Sequence, residues 1–398
     1  MASSFLTDTH QTRRIQSSDH GGNRTIIPNF LLVGNSYTNN LANTLQGVLV
    51  DAGIPEWIDP ITNRSRVNVR SVNPPGFNFP RHVASLEEGG PLQGLLDPAS
   101  ENHAWQFVVL QDQSQIPGFW EWDWEGTEFY NSLQAAKVLN EYVANSSSIV
   151  NRTGAQTMFF LTWGRRDNDR RNPELYPNFT VMQDKLTEGY KRYVEATSTL
   201  SRPTYVAPVG LVFQTIHDDL MEQGVVPNER GGPYNNETTL FIELYSGDGS
   251  HPSALGTYVT ALTIYTSMTG WNPNDVEWFP NGVSAEQARA VQDAVGRTIV
   301  STFLESNFIR YPWETTIPDW LLPLSTSSSN STNHSTIMPA PQQQLQTNTS
   351  ANLTLVPSLQ PTTETTIAIM PSELLTTPPS LFSSSTEVPS FSNSSNTS

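Results

Sequence analysis

One stretch of the sequence reads Leu31-Leu32-Val33-Gly34-Asn35-Ser36-Tyr37-Thr38. Its three leading apolar residues, preceded by Phe30, are typical of a short strand that is covered on both faces. Gly34 allows a sharp turn, and an amphipathic helix follows, with Gly53 where a left-handed helix end is expected. Ser36 is therefore expected at the end of a strand and the start of a helix, where unpaired amides favour negative charge. A serine in this position also commonly serves as a helix cap.

The alternation of strands and helices continues along the chain. Short apolar runs predict buried strands at residues 30–33, 67–72, 107–110, 158–161 and 205–209. Helices are predicted at 41–52, at 181–197 behind the capping-box pair Thr180 and Gln183, from Pro252 to Gly270, and from Ser284 to about 303. This pattern predicts an α/β fold, a three-layer sandwich with a central parallel sheet of about five strands flanked by helices.

Composition excludes several classes of function. The 398 residues carry a formal net charge of −17, which disfavours nucleic acid as a partner. The chain has no cysteine, so disulfides, thiolate catalysis and cysteine-ligated zinc are excluded. No metal-spaced histidine cluster, phosphate-binding loop or dinucleotide fingerprint occurs, and we predict no cofactor and no bound metal. No apolar run is long enough to predict a membrane span.

Three regions differ in composition. Residues 1–27 are polar and aperiodic and are predicted to be disordered. Residues 28–324 hold the apolar periodicity and are predicted to form one globular domain. Residues 325–398 are rich in Ser, Thr and Pro, which favours an O-glycosylated stalk, with an unglycosylated disordered tail as the alternative.

Twelve Asn-x-Ser/Thr patterns bear on the compartment. Those within or near the predicted domain are Asn23, Asn63, Asn145, Asn151, Asn178 and Asn236. Their number favours N-glycosylation and a secreted or cell-surface protein. The first sixteen residues contain no apolar signal-peptide core, so either the start is truncated or, as the alternative, the protein is cytoplasmic and the patterns are unused.

A second motif lies far along the chain, where Ser246–Pro252 reads Ser-Gly-Asp-Gly-Ser-His-Pro just before a predicted helix. Asp248 stands three residues before His251, so a tight turn can bring its carboxylate to the imidazole. A serine hydroxyl is a weak nucleophile until a base accepts its proton, and His251 is the histidine best placed for that role. A solvated Asp and His at a capped helix start is the alternative interpretation.

Together the two motifs resemble those of the SGNH (GDSL-like) hydrolase superfamily, over roughly residues 28–269. The resemblance implies a flavodoxin-like fold in which Ser36 is the nucleophile and its amide is part of the oxyanion hole, with Asp248 and His251 completing the triad. Asn35 stands where the family usually has Asp. Gly76, after the second predicted strand, corresponds to a second oxyanion donor. Rival glycines for that role are Gly89, Gly90 and Gly94.

The third block of the family is normally Gly-x-Asn-Asp, and the side-chain amide of its asparagine donates to the oxyanion. Here the third predicted strand runs into Gln111-Asp112-Gln113-Ser114. Gln113 stands at the asparagine position and carries the same amide on a longer side chain. Gln111 is the alternative donor, because one extra methylene moves an amide further than an oxyanion contact tolerates.

Two segments are predicted to contact substrate. Trp163, Arg165 and Arg166 follow the fourth predicted strand, and either arginine can clamp a carboxylate or sulfate. Surface ion pairs of these arginines with Asp167 or Asp169 are the alternative. The aromatic and acidic residues at 119–124 suit either a sugar-stacking loop or a half-buried strand.

The function so implied is a serine esterase acting on a small-molecule or polysaccharide ester, with removal of acetyl groups from a carbohydrate as one expected reaction. Two alternatives are open. One is a non-catalytic cell-surface glycoprotein or carbohydrate-binding module on the same fold, and the other is a lipase or thioesterase. The sequence predicts neither the acyl and alcohol groups of the substrate nor an oligomeric state.

Overall fold

The computed structural model describes residues 29–53, 57–58, 65–66, 68–97, 105–146, 154–227 and 238–321. The predicted disordered ends at 1–27 and 325–398 lie outside these residues. So do the glycosylation patterns at Asn23, Asn63, Asn151 and Asn236. Asn145, the last residue of a helix, and Asn178, the cap of another, are described and exposed, and their glycosylation stays a prediction.

A five-stranded parallel sheet forms the centre of the fold. Its strands are β1 Asn29–Val33, β4 Asn68–Val72, β5 Phe107–Leu110, β6 Gln156–Phe160 and β7 Tyr205–Ala207, and a separate antiparallel pair joins β2 Trp57–Ile58 to β3 Ser65–Arg66. The strand order in the sheet is β4-β1-β5-β6-β7. The central strands β1 and β5 are buried at every residue, whereas the edge strand β4 is partly exposed. That contrast explains why the central strands are almost wholly apolar.

Helices cover the sheet. They are α1 Leu41–Asp51, α2 Phe79–Glu87, α3 Pro91–Leu96, α4 Glu128–Asn145, α5 Phe179–Thr197, α6 Val209–Glu222, α7 Leu240–Glu243, α8 Ala254–Thr269 and α9 Ala285–Glu305. One group packs α1, α6, α8 and α9 together, and another packs α2, α4 and α5. The predicted α/β sandwich with a parallel sheet of five strands is thus confirmed. No helix in the described ranges is both long and apolar enough to cross a membrane.

Several element boundaries differ from the predictions. Helix α8 begins two residues after Pro252, because Pro252 pairs with Tyr245 in an isolated bridge and Ser253 caps the helix. Helix α5 is capped by Asn178 rather than by Thr180, since the Asn178 side chain accepts from the amide of the third helical residue. Ser284 caps α9 with both capping-box hydrogen bonds, as predicted.

Candidate active site

The two sequence motifs meet at the carboxyl edge of the sheet. Ser36 follows β1, Gly76 follows β4 and Gln113 follows β5, so three loops from adjacent strands converge. Strands β4 and β5 lie on opposite sides of β1, which makes this edge a topological switch point. In open α/β sheets, ligands bind in the crevice at such a point.

A continuous line of hydrogen bonds joins Ser36, His251 and Asp248. Ser36 Oγ lies 2.8 Å from His251 Nε2, and His251 Nδ1 lies 2.5 Å from Asp248 Oδ2. An ionised carboxylate can only accept, so Nδ1 carries the proton and Nε2 is free to accept from the serine hydroxyl. Ser36 and His251, 215 positions apart in the chain, thus meet in the hydrogen-bonded order that a serine nucleophile, its base and an orienting carboxylate require.

The Asp248 carboxylate is held by its own turn. Its Oδ1 accepts hydrogen bonds from the amides of Ser250 and His251 and from the Ser246 hydroxyl, each at 2.9 Å. Gly249 has a φ of +69°, a backbone conformation that suits glycine in this turn. Partial burial acts to raise the pKa of Asp248, but the hydrogen bonds from His251 and the neighbouring groups outweigh it and hold that pKa well below its usual range. Asp248 is therefore ionised at neutral pH.

The turn that carries Ser36 is fixed by the side chains of Asn35 and Gln111. Asn35 Oδ1 accepts from the Tyr37 amide at 3.1 Å, and Asn35 Nδ2 donates to the Phe77 carbonyl at 2.8 Å. The Asn35 amide donates to Gln111 Oε1 at 3.0 Å. The side-chain donation from Asn35 Nδ2 to the Phe77 carbonyl is possible for asparagine but not for an ionised aspartate. Asn35 therefore links the serine turn to the loop that contains Gly76.

Gly34 and His82 lie beneath this turn. A Cβ atom on Gly34 would stand 2.6 Å from Gln111 Oε1, so the close approach requires glycine. His82 Nε2 lies 2.9 Å from the Gly34 carbonyl, which must accept, so Nε2 carries the proton. Burial lowers the pKa of His82 to about 4, although the bond to Gly34 acts in the opposite direction. His82 is thus a neutral, buried support of the turn.

Three hydrogen-bond donors of residues that line the cavity have no acceptor within the described part of the chain. The Ser36 and Gly76 amides donate to no described residue, and Gly76 has a φ of +71°. Gln113 lines the cavity and its Oε1 accepts from the Gln115 amide at 3.1 Å, which leaves Nε2 available. The structure thus places all three sequence-predicted oxyanion donors around one cavity.

Gln111 lies elsewhere. Its side chain is fully buried, with Oε1 bound to the Asn35 amide and Nε2 donating to the Asp112 carbonyl. Asp112 is also fully buried and accepts from Ser132, Tyr193 and the Phe79 amide. Burial raises the pKa of Asp112. The first two residues of the third block are therefore structural, and the position of Gln111 does not fit a donor to a substrate oxygen.

The expected contact of Trp163 with substrate is wrong, because its side chain is completely buried. Its ring stacks between Tyr37 and Phe213, with centroids 5.0 and 4.6 Å away. Its Nε1 donates to the Ser250 carbonyl at 3.0 Å. Tyr37 in turn bonds Ser250 Oγ at 2.5 Å and lies 5.2 Å from the His251 ring. Trp163 thus supports the His251 loop from below, a role shared with Tyr37 that the sequence motifs did not indicate.

Arg165 and Arg166 are both engaged in ion pairs. Arg165 Nη1 contacts Asp169 at 2.5 Å, and Arg166 contacts both oxygens of Asp167 at 2.9 and 2.7 Å. The Arg166 side chain is 8% exposed and does not line the cavity. The expected substrate clamp by Arg166 is therefore wrong, because its guanidinium is turned to Asp167. Arg165 does line the cavity, but its charge is already neutralised.

The segment at 119–124 forms a turn after a short 3-10 helix, so the half-buried strand is wrong. Trp122 and Trp124 are 44% and 58% exposed. Phe119 stacks on Trp122 and Tyr176, which fixes the base of this loop.

An open cavity of about 420 Å³ lies over the Ser36–His251 pair. Its described lining is Asn35, Ser36, Tyr37, Gly76, Gln113, Ser114, Arg165, Asp167, Asn168, Arg170, Arg171, Asp248, Gly249, Ser250 and His251. No aliphatic side chain is among these residues. Within the described ranges, no group of three or more His, Asp or Glu side chains is placed to hold a metal ion.

The sequence matches no protein-family model and no curated protein. Solved structures resemble it in fold. A DUF4886 family protein from Bacteroides uniformis is 15% identical with a TM-score of 0.50, over 72% of this chain and 98% of its own. A candidate SGNH hydrolase from Slackia heliotrinireducens is 22% identical with a TM-score of 0.39, over 60% and 97%. A candidate GDSL-like lipase from Parabacteroides merdae is 11% identical with a TM-score of 0.35, over 59% and 92%. At these identities the comparisons establish a shared α/β fold with the DUF4886 protein.

Proposed function

We propose that this chain is an SGNH-type serine hydrolase that cleaves a carboxylic ester through an acyl-enzyme on Ser36. The observation that carries the proposal is the line of hydrogen bonds from Ser36 Oγ to His251 Nε2, at 2.8 Å, and from His251 Nδ1 to Asp248 Oδ2, at 2.5 Å. This order of nucleophile, base and orienting carboxylate recurs on unrelated folds that perform acyl transfer.

Acylation begins when Ser36 Oγ attacks the ester carbonyl carbon and its proton passes to His251 Nε2. Asp248 stabilises the imidazolium because it is ionised and bound to Nδ1. The tetrahedral intermediate collapses, the alkoxide leaves with the proton from His251, and the acyl group stays on Ser36. A water molecule then attacks the acyl-enzyme with His251 as base, which releases the acid and restores the serine.

The negative charge on the carbonyl oxygen needs donors during both steps. The Ser36 amide, the Gly76 amide and Gln113 Nε2 suit this role, because each borders the cavity and none is bound to a described residue. Fixed donors of this kind stabilise the transition state more than the substrate, which is how they accelerate the reaction.

The lining of the cavity favours a polar substrate. A long acyl chain is stabilised by apolar surface, at roughly 0.8 kcal/mol for each buried methylene, and the described lining offers no aliphatic side chain. We therefore favour a short acyl group, such as acetyl, on a polar alcohol over the lipase or thioesterase alternative. Removal of an acyl group from a carbohydrate fits this preference, and the exposed rings of Trp122 and Trp124 suit stacking on a sugar.

A non-catalytic carbohydrate-binding protein on the same fold is the competing function. It has no need of a base within hydrogen-bond reach of a serine, nor of a carboxylate that fixes the tautomer of that base. The same exposed tryptophans, Trp122 and Trp124, are the observation that keeps it open.

Hydrolysis of 4-nitrophenyl acetate and 4-nitrophenyl decanoate by the purified chain tests the proposal. The wild type should turn over the acetate ester faster than the decanoate ester, and Ser36→Ala should abolish both activities. Ser301→Ala, at an exposed serine on α9, is the matched control and should leave both rates unchanged. Absence of hydrolysis by the folded wild type would favour the binding protein, and activity retained by Ser36→Ala would exclude Ser36 as nucleophile.

A further inference from the structure

The loop after β6 forms one wall of the cavity and is dense in charge. Residues 165–171 read Arg-Arg-Asp-Asn-Asp-Arg-Arg, which places four arginines around two aspartates. Both aspartates are already paired with the first two arginines. Asp169 binds Arg165, and Asp167 binds Arg166 through both oxygens. Neither aspartate of this segment therefore forms an ion pair with Arg170 or Arg171.

Arg170 and Arg171 are exposed, and both line the cavity together with Ser36 and His251. Neither guanidinium has a hydrogen bond or ion pair with any residue in the described ranges. The remaining acidic group of the described lining, Asp248, is bound to His251. Two positive charges that have no partner among the described residues therefore border Ser36, in a chain whose net charge is −17.

The backbone that presents these arginines is fixed from beneath. The Asp169 side chain is completely buried, and its Oδ1 accepts from Arg165 Nη1 at 2.5 Å and from the Arg171 amide at 2.9 Å. Its Oδ2 accepts from Asn172 Nδ2 at 2.8 Å, and its amide donates to the Tyr176 carbonyl at 3.1 Å. A buried carboxylate with this many partners fixes the backbone from which the Arg170 and Arg171 side chains project, so this part of the loop is organised before a ligand arrives.

We propose that Arg170 and Arg171 form an anion-binding subsite, and that the natural ester carries a carboxylate or sulfate close to the scissile bond. The inference rests on the proposed function, because it takes Ser36 as the reacting group of the same cavity. Guanidinium groups match the planar oxygens of a carboxylate or sulfate and remain charged at any working pH. Two arginines that have no ion-pair partner in the described ranges attract such a group and do not repel neutral esters, so the subsite favours anionic substrates.

Matched esters that differ in one charge test the subsite. On the alcohol side, 4-acetoxybenzoate and 4-acetoxybenzenesulfonate are compared with the neutral 4-acetoxybenzamide. On the acyl side, the 4-nitrophenyl monoester of glutaric acid is compared with the ester of its neutral amide. The ratio of kcat/KM for the anionic and neutral members is measured in the wild type, in Arg170→Gln/Arg171→Gln, and in Arg289→Gln. Arg289 is a suitable control because it is an exposed arginine on α9 without a described partner.

In at least one series, the anionic-to-neutral ratio should fall roughly tenfold from the wild type to the double variant, as expected for two exposed charge pairs. Comparison of ratios between proteins cancels the intrinsic reactivity of each ester. Arg289→Gln should keep the wild-type ratio, and 1 M salt should reduce that ratio in the wild type by screening. Equal ratios in the wild type and the double variant, in every series, would overturn the subsite. Absence of hydrolysis of any ester by the folded wild type would instead overturn the proposed function, and the subsite with it.

Discussion

Replacement of Gln113 by alanine isolates one of the three proposed oxyanion donors. Gln113 borders the cavity, and its Oε1 accepts from the Gln115 amide, so Nε2 remains available to donate to a substrate. The other two donors are the backbone amides of Ser36 and Gly76, which the substitution does not remove. The triad is also left intact, since none of its hydrogen bonds involves Gln113.

Removal of one side-chain donor from an oxyanion hole typically costs about 3 kcal/mol of transition-state stabilisation. Turnover of 4-nitrophenyl acetate by Gln113→Ala should therefore fall about a hundredfold or more, mainly in kcat with a smaller change in KM. The melting temperature should barely change, because the Gln113 side chain is partly exposed and makes one local hydrogen bond with a described residue. Steady-state kinetics and thermal unfolding of the same preparation measure both quantities.

Gln111→Ala provides the comparison, because the two glutamines play different structural parts. Loss of Gln111 leaves the buried Asn35 amide without its acceptor, which costs about 1–3 kcal/mol of stability. Gln111→Ala should therefore lower the melting temperature, and Gln113→Ala should not. If Gln113→Ala keeps wild-type kcat while Ser36→Ala is inactive, the oxyanion hole consists of backbone amides and the role given to Gln113 is refuted.

Three further expectations concern pH, the triad and the tail. Burial lowers the pKa of His82 to about 4, below its unfolded value of 6.5, so the unfolded chain binds the proton first and stability falls as the pH drops from 6.5 towards 4. That loss amounts to about 3 kcal/mol. His82→Gln keeps a donor for the Gly34 carbonyl but does not titrate, so its free energy of unfolding, measured with denaturant, should fall less between pH 7 and pH 4.5 than that of the wild type. Asp248→Asn should lower kcat on the order of a thousandfold, because His251 loses the partner that fixes its tautomer, and a kcat within tenfold of the wild type would contradict this role. Truncation before Ser325 should leave the melting temperature and ester turnover nearly unchanged, since residues 325–398 lack a core-forming composition, and a lower melting temperature would show that the tail packs on the domain.

The sheet could be predicted from the sequence because its strands are short apolar runs, which can be recognised without knowledge of distant contacts. The apolar runs at 30–33 and 107–110 predict strands, and both fall in central strands of the sheet. Helices whose sequence is less regular were not predicted, and α6 begins at Val209, a residue that composition assigned to the preceding strand. A β-branched residue after an apolar run fits both conformations, and the tertiary packing decides between them.

The central residues of the site could be predicted because two short motifs carry them, whereas their surroundings depend on long-range contacts. Trp163 follows a strand at the correct edge, but only the folded chain shows that the Ser250 backbone covers it. Four arginines flank two aspartates at 165–171, and their spacing does not indicate which arginines are paired. Because Arg165 and Arg166 are held in ion pairs, we place the proposed anion contact at Arg170 and Arg171 instead.

Covalent labelling of Ser36 tests the central claim most directly. A fluorophosphonate reacts with a serine that is activated by an adjacent base, through loss of fluoride and formation of a bond between phosphorus and the serine oxygen. Mass spectrometry of the treated protein should show one adduct, located on the peptide that contains Ser36, and Ser36→Ala and His251→Ala should show none. An unlabelled wild type, or an adduct on another residue that persists in Ser36→Ala, would contradict the assignment of Ser36 as the nucleophile.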